Sequence, residues 1–288
     1  MGRVKQAAGV MNSPPSAAGH YSARVDSRWR PIAEFVPLQA GEIHVVRASL
    51  DPSDGRIAEL SDLITSDERK QAGRFVREID QRRFVAARGT LRTLLGSYVG
   101  RDPKSLRFVT SVKGKPSLSP IECSSFSPGS AGQGSELFFN LSHSGEWALF
   151  AFSRDRELGV DVEKRRKVDA IEVAESVFSS AELEALRALG GAERDAAFFR
   201  GWARKEAFVK ATGEGVSQLG DFDVRLDAGE GELLLGFAGD EGGAPRYSLI
   251  DLPGVEGYAA SLAYEEEAAI SRISQEPRRG PLLRCYLL

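Results

Sequence analysis

Cysteine, histidine and long apolar runs are scarce in this sequence, and each scarcity removes a class of function. The 288 residues hold two cysteines, Cys123 and Cys285, far apart, and three histidines. That composition leaves no thiolate metal cluster and no disulfide framework, and it suits a reducing compartment. No apolar run approaches the length of a membrane span, and the N-terminus lacks the charged-then-apolar order of a signal peptide. A cytoplasmic protein with no membrane association is expected. A formal net charge of −3 supplies no overall attraction to nucleic acid, so any anion site must be local. Also missing are a G-x-S-x-G elbow, a Cys/His nucleophile pair and a glycine-rich phosphate loop. What is present is a 42% hydrophobic chain, ordinary for a protein with a real core.

The first forty residues, with SPPSAAGHYSA among them, lack periodicity and read as a loose tail, 1–40. Pattern begins with the alternating, β-branched GEIHVVRASL. It continues through a region with apolar residues every three to four positions, in which Ser66, two residues before Glu68, marks a helix start. Ser124 to Glu136 is of low complexity and reads as a loop. The pattern then recurs: sliding the chain along itself lays Val46 on Val160, Ile57 on Ile171, Ser66 on Ser180, Glu68 on Glu182, Phe84 on Phe198 and Phe108 on Phe222. The shared order of strand, capped helix, second helix and strand predicts an α+β fold of two similar halves, 41–155 and 156–268, with a site at their junction. Residues 269–288 read as a C-terminal tail.

Three segments carry candidate chemistry. In GVDVEK, strand alternation puts Val160 and Val162 on one face and Asp161 and Glu163 on the other. Paired carboxylates need a cation, and oxygen donors on a rigid strand suit Mg²⁺ with substrate phosphates; the plainer reading is a surface strand neutralised by Lys164, Arg165 and Arg166. In FFRGWARKEAFVKATGEG, four-residue spacing aligns Trp202, Glu206 and Lys210 on one helix face, with Lys205 beside Glu206 and a C-terminal cap at Gly213. An ordinary surface pair beside a buried tryptophan would also fit. NLSHSG ends a strand with Ser142 and His143, donors for an anion or simply structural. KGKPSLSP is a lysine-bearing turn, and the helix carrying Arg69, Lys70, Arg74, Arg77, Arg82, Arg83, Arg88 and Arg92 is strongly basic, mostly as soluble charge. Three acids suited to Mg²⁺ and scattered cations suited to phosphate point to phosphoryl chemistry with an external nucleophile.

Together, NLSHSG, GVDVEK, FSSAELEAL and FFRGWARKEAFVKATGEG, with W-x-x-K-E-x-x-x-K complete, resemble the surfactin-synthetase type of 4′-phosphopantetheinyl transferase over Glu42 to Tyr264. The resemblance implies two α+β halves enclosing coenzyme A, a double-length monomer, and apo acyl or peptidyl carrier proteins as partners. It implies Mg²⁺ at Asp161, Glu163 and Glu206; Glu206, directly or through a metal-bound water, is the candidate to accept the serine proton. Ser142 and His143 would meet coenzyme A phosphate, Lys210 the pyrophosphate and Lys115 the adenine end, with Lys205 and, among the first-half cations, Arg83 also binding coenzyme A. Val177, Phe178 and Leu183 would form a docking surface for the carrier. The implied reaction moves phosphopantetheine to a carrier serine and releases 3′,5′-adenosine bisphosphate. A Mg²⁺-dependent phosphodiester hydrolase would need more acids or histidines for a second metal. A non-catalytic carrier-binding protein would tolerate loss of an acid, and all three are present.

Overall fold

Thr65 and Ser179 each open a helix in the same way. The hydroxyl accepts the N–H of a glutamate three residues on, Glu68 or Glu182, and that glutamate accepts the N–H of the cap residue. A cap of this kind contributes about 1 kcal/mol. The structure, a computed structural model, describes residues 24–25, 29–31, 36–112, 114–119, 137–228, 233–237, 247–254, 256–266 and 280–288. Cys123, Lys113, the stretch 124–136 and most of both expected tails lie outside these.

The chain runs β1 (Arg24–Val25), β2 (Arg30–Pro31), β3 (Glu42–Ser49), α1 (Asp54–Leu63), α2 (Ser66–Ala72), α3 (Glu78–Val99), β4 (Phe108–Thr110), β5 (Pro116–Leu118), β6 (Phe138–Ser144) and β7 (Trp147–Ser153). It continues through β8 (Leu158–Lys164), α4 (Ala170–Ala174), α5 (Ser180–Ala188), α6 (Gly191–Thr212), β9 (Phe222–Val224), β10 (Leu234–Phe237), β11 (Tyr247–Asp251), β12 (Tyr258–Glu265) and β13 (Leu282–Leu287). In the first half β3 pairs antiparallel with β7 and β7 with β6; in the second, β8 pairs with β12 and β12 with β11. The two halves share one topology. Both long helices end on a left-handed glycine, Gly100 at φ 68° and Gly213 at φ 71°, as the cap expected at Gly213 requires. Among the described residues no helix is long and apolar enough to cross a membrane.

Strand alternation stacks these parts as helix, sheet, sheet, helix. Val46, Ala48, Phe150 and Phe152 face α3, whereas Ile43, Val45, Leu149 and Ala151 face the second sheet. From that sheet Leu158, Val160, Val162 and Leu262 fill the same inter-sheet core, and Ala259 and Ala263 face α6. The repeat register read from the sequence therefore needs one correction. Val46 faces its helix and Val160 faces away from its own, so the strands correspond one residue out of the gapless alignment, and such a slip reverses every side chain.

The two tails need a second correction. Leu282–Leu287 form β13, parallel to β3 and bonded on its other side to β1 and β2. Leu283 and Cys285 are buried, as is Leu38 of the expected N-terminal tail. The strand is short and follows a charged stretch, and its burial comes from long-range contacts: Leu283 and Cys285 enter the inter-sheet core and Tyr286 the core under α3.

One glycine sets the distance between α6 and β8. A Cβ on Gly159 would lie 2.2 Å from the Ala207 carbonyl and 2.3 Å from the Ala211 nitrogen. Gly159→Ala is expected to force the helix outward and cost about 1–3 kcal/mol, whereas Gly55→Ala, with open space around it, should cost little; urea denaturation of the two variants compares them. A second expectation concerns His44, fully buried, with Nδ1 2.9 Å from the Tyr98 hydroxyl and Nε2 3.4 Å from Glu42. Burial lowers its pKa to about 4, against the partial opposition of Glu42. The folded value lies below the unfolded one, so this contribution is intact above about 6.5 and is lost as pH falls toward 4, on the order of 3 kcal/mol at the limit. His44→Gln should show a shallower fall in unfolding free energy across that window than the wild type.

Candidate active site at the seam between the halves

β6 is an edge of the first sheet and β8 an edge of the second, and the two edges lie side by side. On β8, residues facing α6 alternate with those facing the inter-sheet core, so Asp161 and Glu163 are presented to the helix, as the sequence pattern requires. Gly159, on the same face, lets the helix come close enough for its side chains to reach them.

Asp161 is the centre of the cluster. It is 2% exposed, and its Oδ1 accepts the Ser142 hydroxyl at 2.7 Å and the Lys210 ammonium at 2.6 Å. Lys210 also donates to Ser142 Oγ at 3.1 Å. Asp161 Oδ2 is buried with no partner. An orphaned carboxylate oxygen in a buried position is costly unless something else completes it. Glu163 Oε2 accepts the Ser144 hydroxyl at 2.9 Å. Burial raises the Glu163 pKa and the Asp161 charge adds to this, while Ser144, Lys210 and Arg166 oppose it. Glu206 is also raised, by burial first; Lys210 pulls it down and Asp161 pushes it up. His143 is exposed at the rim, where partial desolvation and the Lys210 charge hold it below the ordinary histidine value.

Asp161, Glu163, Glu206, Lys210, Ser142 and His143 thus share one electrostatic neighbourhood. Among the described residues, however, no three of the histidine, cysteine, aspartate and glutamate side chains stand close enough to hold an ion by themselves. The donor set nevertheless fits Mg²⁺. It offers hard oxygens, one of them orphaned, and Mg²⁺ commonly takes one or two carboxylates with the rest from phosphates and water.

Other expected site residues are placed elsewhere. Lys205 is 1% exposed and turned toward α5 and β9, where it pairs with Glu182 at 2.8 Å and donates to the carbonyls of Leu219 and Phe222. Its neighbour Glu206 faces the seam, and one residue of helical rotation separates the two directions. Lys115 is a staple between the halves, its ammonium held by Glu157 at 2.5 Å and the carbonyl of Ala211 at 3.0 Å. Arg83 lies at the Glu146 and Tyr258 end of the seam, with its guanidinium engaged at both prongs by Asp51 at 2.8 and 2.6 Å. Of the expected docking surface, Phe178 is 7% exposed in the second-half core, and Val177 and Leu183 pack against it. Trp202 is half-buried against Phe198 at a ring separation of 5.9 Å.

The sequence reading passed over Asn140 and Ser144. Asn140 Oδ1 accepts the Val160 N–H at 3.0 Å, and Ser144 Oγ accepts the Lys164 N–H at 3.1 Å. Their signal was present: in NLSHS the polar residues 140, 142 and 144 recur at strand period on one face while Phe139 and Leu141 face α3.

The buried Glu182–Lys205 pair fixes the rotation of α6. Removing one partner leaves the other charged and buried, typically a loss of about 3–5 kcal/mol, whereas an apolar replacement of both is tolerated. As measured by chemical denaturation, Glu182→Ala is therefore expected to destabilise strongly, and Glu182→Leu with Lys205→Met to recover only part of the loss, because the N–H groups of Ser179 and Val224 still lack their acceptor.

Residues 157–263 match the 4′-phosphopantetheinyl transferase superfamily, and residues 48–155 match the 4′-phosphopantetheinyl transferase N-terminal family. Among curated relatives, the 4′-phosphopantetheinyl transferase HetI of a Nostoc species is 34% identical over 236 residues, covering 82% of this chain and 92% of its own. The 4′-phosphopantetheinyl transferase Sfp of Bacillus subtilis is 30% identical over 164 residues, 57% of this chain and 66% of its own. The human L-aminoadipate-semialdehyde dehydrogenase-phosphopantetheinyl transferase is 27% identical over 181 residues, 58% and 56% respectively.

Proposed function

Because the chain belongs to the 4′-phosphopantetheinyl transferase superfamily, we propose that it transfers phosphopantetheine from coenzyme A to a serine of an apo acyl or peptidyl carrier protein. The reaction requires Mg²⁺ and releases 3′,5′-adenosine bisphosphate. The observation that carries this reading is Asp161, with one oxygen held by Lys210 and Ser142 and the other buried without a partner.

In this mechanism the serine oxygen forms a bond to the β-phosphorus of coenzyme A, and the bond from that phosphorus to the bridging oxygen breaks. Glu206 accepts the serine proton; burial lifts its pKa toward the range where a carboxylate is an effective base. Asp161, Glu163 and Glu206 would hold Mg²⁺ jointly with substrate phosphates and water rather than by themselves, and the ion would supply neutralisation of the phosphate oxygens. Lys210 gives a fixed positive charge where the leaving pyrophosphate oxygen develops negative charge. Ser142 keeps Lys210 and Asp161 in register, and His143 at the rim donates to a coenzyme A phosphate. Both halves contribute to the site, so one chain acting as a monomer supplies it complete.

Intact-protein mass spectrometry of apo carrier proteins incubated with coenzyme A, Mg²⁺ and the enzyme tests the reading. A gain of one phosphopantetheine unit is expected, and no gain on any of several carriers would overturn it. Glu206→Gln should lower the turnover rate by about 10²–10⁴-fold with an unchanged melting temperature; full activity in that variant would show that Glu206 is not the base.

A further inference from the structure

Two sheet edges that meet normally either pair through their backbones or are kept apart. β6 and β8 do neither. Among the described residues no backbone ladder joins them, and instead Asn140, Ser142 and Ser144 reach across at strand period. Asn140 takes the Val160 N–H, Ser142 donates to Asp161, and Ser144 both takes the Lys164 N–H and donates to Glu163 Oε2. The Asn140 and Ser144 rungs give acceptors to N–H groups on the free edge of β8, and the two serine rungs end on carboxylates of the site.

Ser144 has the more demanding task. Asp161 is buried and held by two donors, but Glu163 is only partly buried and like-charged with it along one strand face. It has Arg166 and solvent as competing attractions. Ser144 is itself tightly held. The next residue, Gly145, sits at φ 58°, and a Cβ there would lie 2.6 Å from the Tyr258 hydroxyl and 2.8 Å from Lys164 Cδ. Glu146 closes the turn with an ion pair to Lys164 at 2.7 Å. A hydroxyl on so fixed a turn can hold a longer, freer side chain in one orientation.

We propose that Ser144 is a positioning residue, which fixes Glu163 beside Asp161 across the seam so that the pair can receive Mg²⁺ with the substrate phosphates. The inference rests on the Mg²⁺-dependent transfer described above. Loss of such a supporting hydrogen bond typically weakens metal affinity by about 10–100-fold.

The test compares wild type, Ser144→Ala and Ser144→Thr by calorimetric titration of coenzyme A with and without Mg²⁺, and by the Mg²⁺ dependence of transfer. In Ser144→Ala, half-saturating Mg²⁺ should rise roughly tenfold and the gain in coenzyme A affinity on adding Mg²⁺ should shrink. Metal-free coenzyme A binding and the melting temperature should stay near wild type. Ser144→Thr, which keeps the hydroxyl, should restore the Mg²⁺ response. An unchanged Mg²⁺ response in Ser144→Ala, or an equal loss of binding with and without the ion, overturns the inference while leaving the transfer reading intact. A wild type that ignores Mg²⁺ overturns both.

Discussion

Everything at the seam depends on how closely α6 lies on β8. Close approach of a helix backbone to a strand is possible only where the strand has no side chain in the way, and Gly159 provides that gap against Ala207 and Ala211. The helix then presents Glu206 and Lys210 at the level of Asp161. Lys210 crosses to Asp161 and Ser142, which belong to different halves, so a single ammonium ties helix, second sheet and first sheet together. In a half-buried location such contacts are less screened than surface pairs. The electrostatics of the site and the packing of its framework are therefore the same set of contacts seen in two ways.

The rotation of that helix is fixed by a device present in both halves. Glu68 caps α2 and binds Arg92 of α3, which reaches the carbonyls of Pro103 and Leu106. Glu182 caps α5 and binds Lys205 of α6, which reaches the carbonyls of Leu219 and Phe222. In each half a capping carboxylate, a buried cation and backbone carbonyls of the segment that follows the long helix form one polar anchor in which the charges are paired and hydrogen-bonded, the condition under which buried charges are tolerated. The first half lacks matching site acids. Where α6 carries Glu206 and Lys210, the corresponding turns of α3 carry Thr93 and Ser97, which bond back to the backbone of their own helix. The framework is duplicated; the chemistry is not.

Much of this arrangement could be read from residue order. Alternation in GVDVEK placed the acids on one face, the four-residue spacing of Glu206 and Lys210 placed both on another, and the recurring capped helices revealed the two halves. What escaped was long-range. Lys205 looked like a neighbour of Glu206, yet helical rotation sends adjacent residues in different directions, and only the fold shows which one meets a ligand-facing surface. Lys115 and Arg83 are basic in any reading; that Glu157 and Asp51 already occupy them is decided by residues dozens of positions away. Asn140 and Ser144 carried a visible period, but its meaning depended on a second edge strand lying opposite.

β13 gives the molecule a particular order of assembly. The strand beside Glu42–Ser49 comes from residues 282–287, with the whole second half between them in sequence. The first sheet is thus incomplete while the second half is being made, and its inner face, Ile43 and Val45 included, has no neighbour until β8 and β12 arrive. Contacts of such separation slow folding, because a long loop must close before any of them forms. Cutting the chain between β7 and β8 would therefore not yield two autonomous modules: the first fragment would lack one of its own strands, and each would expose the core the other covers.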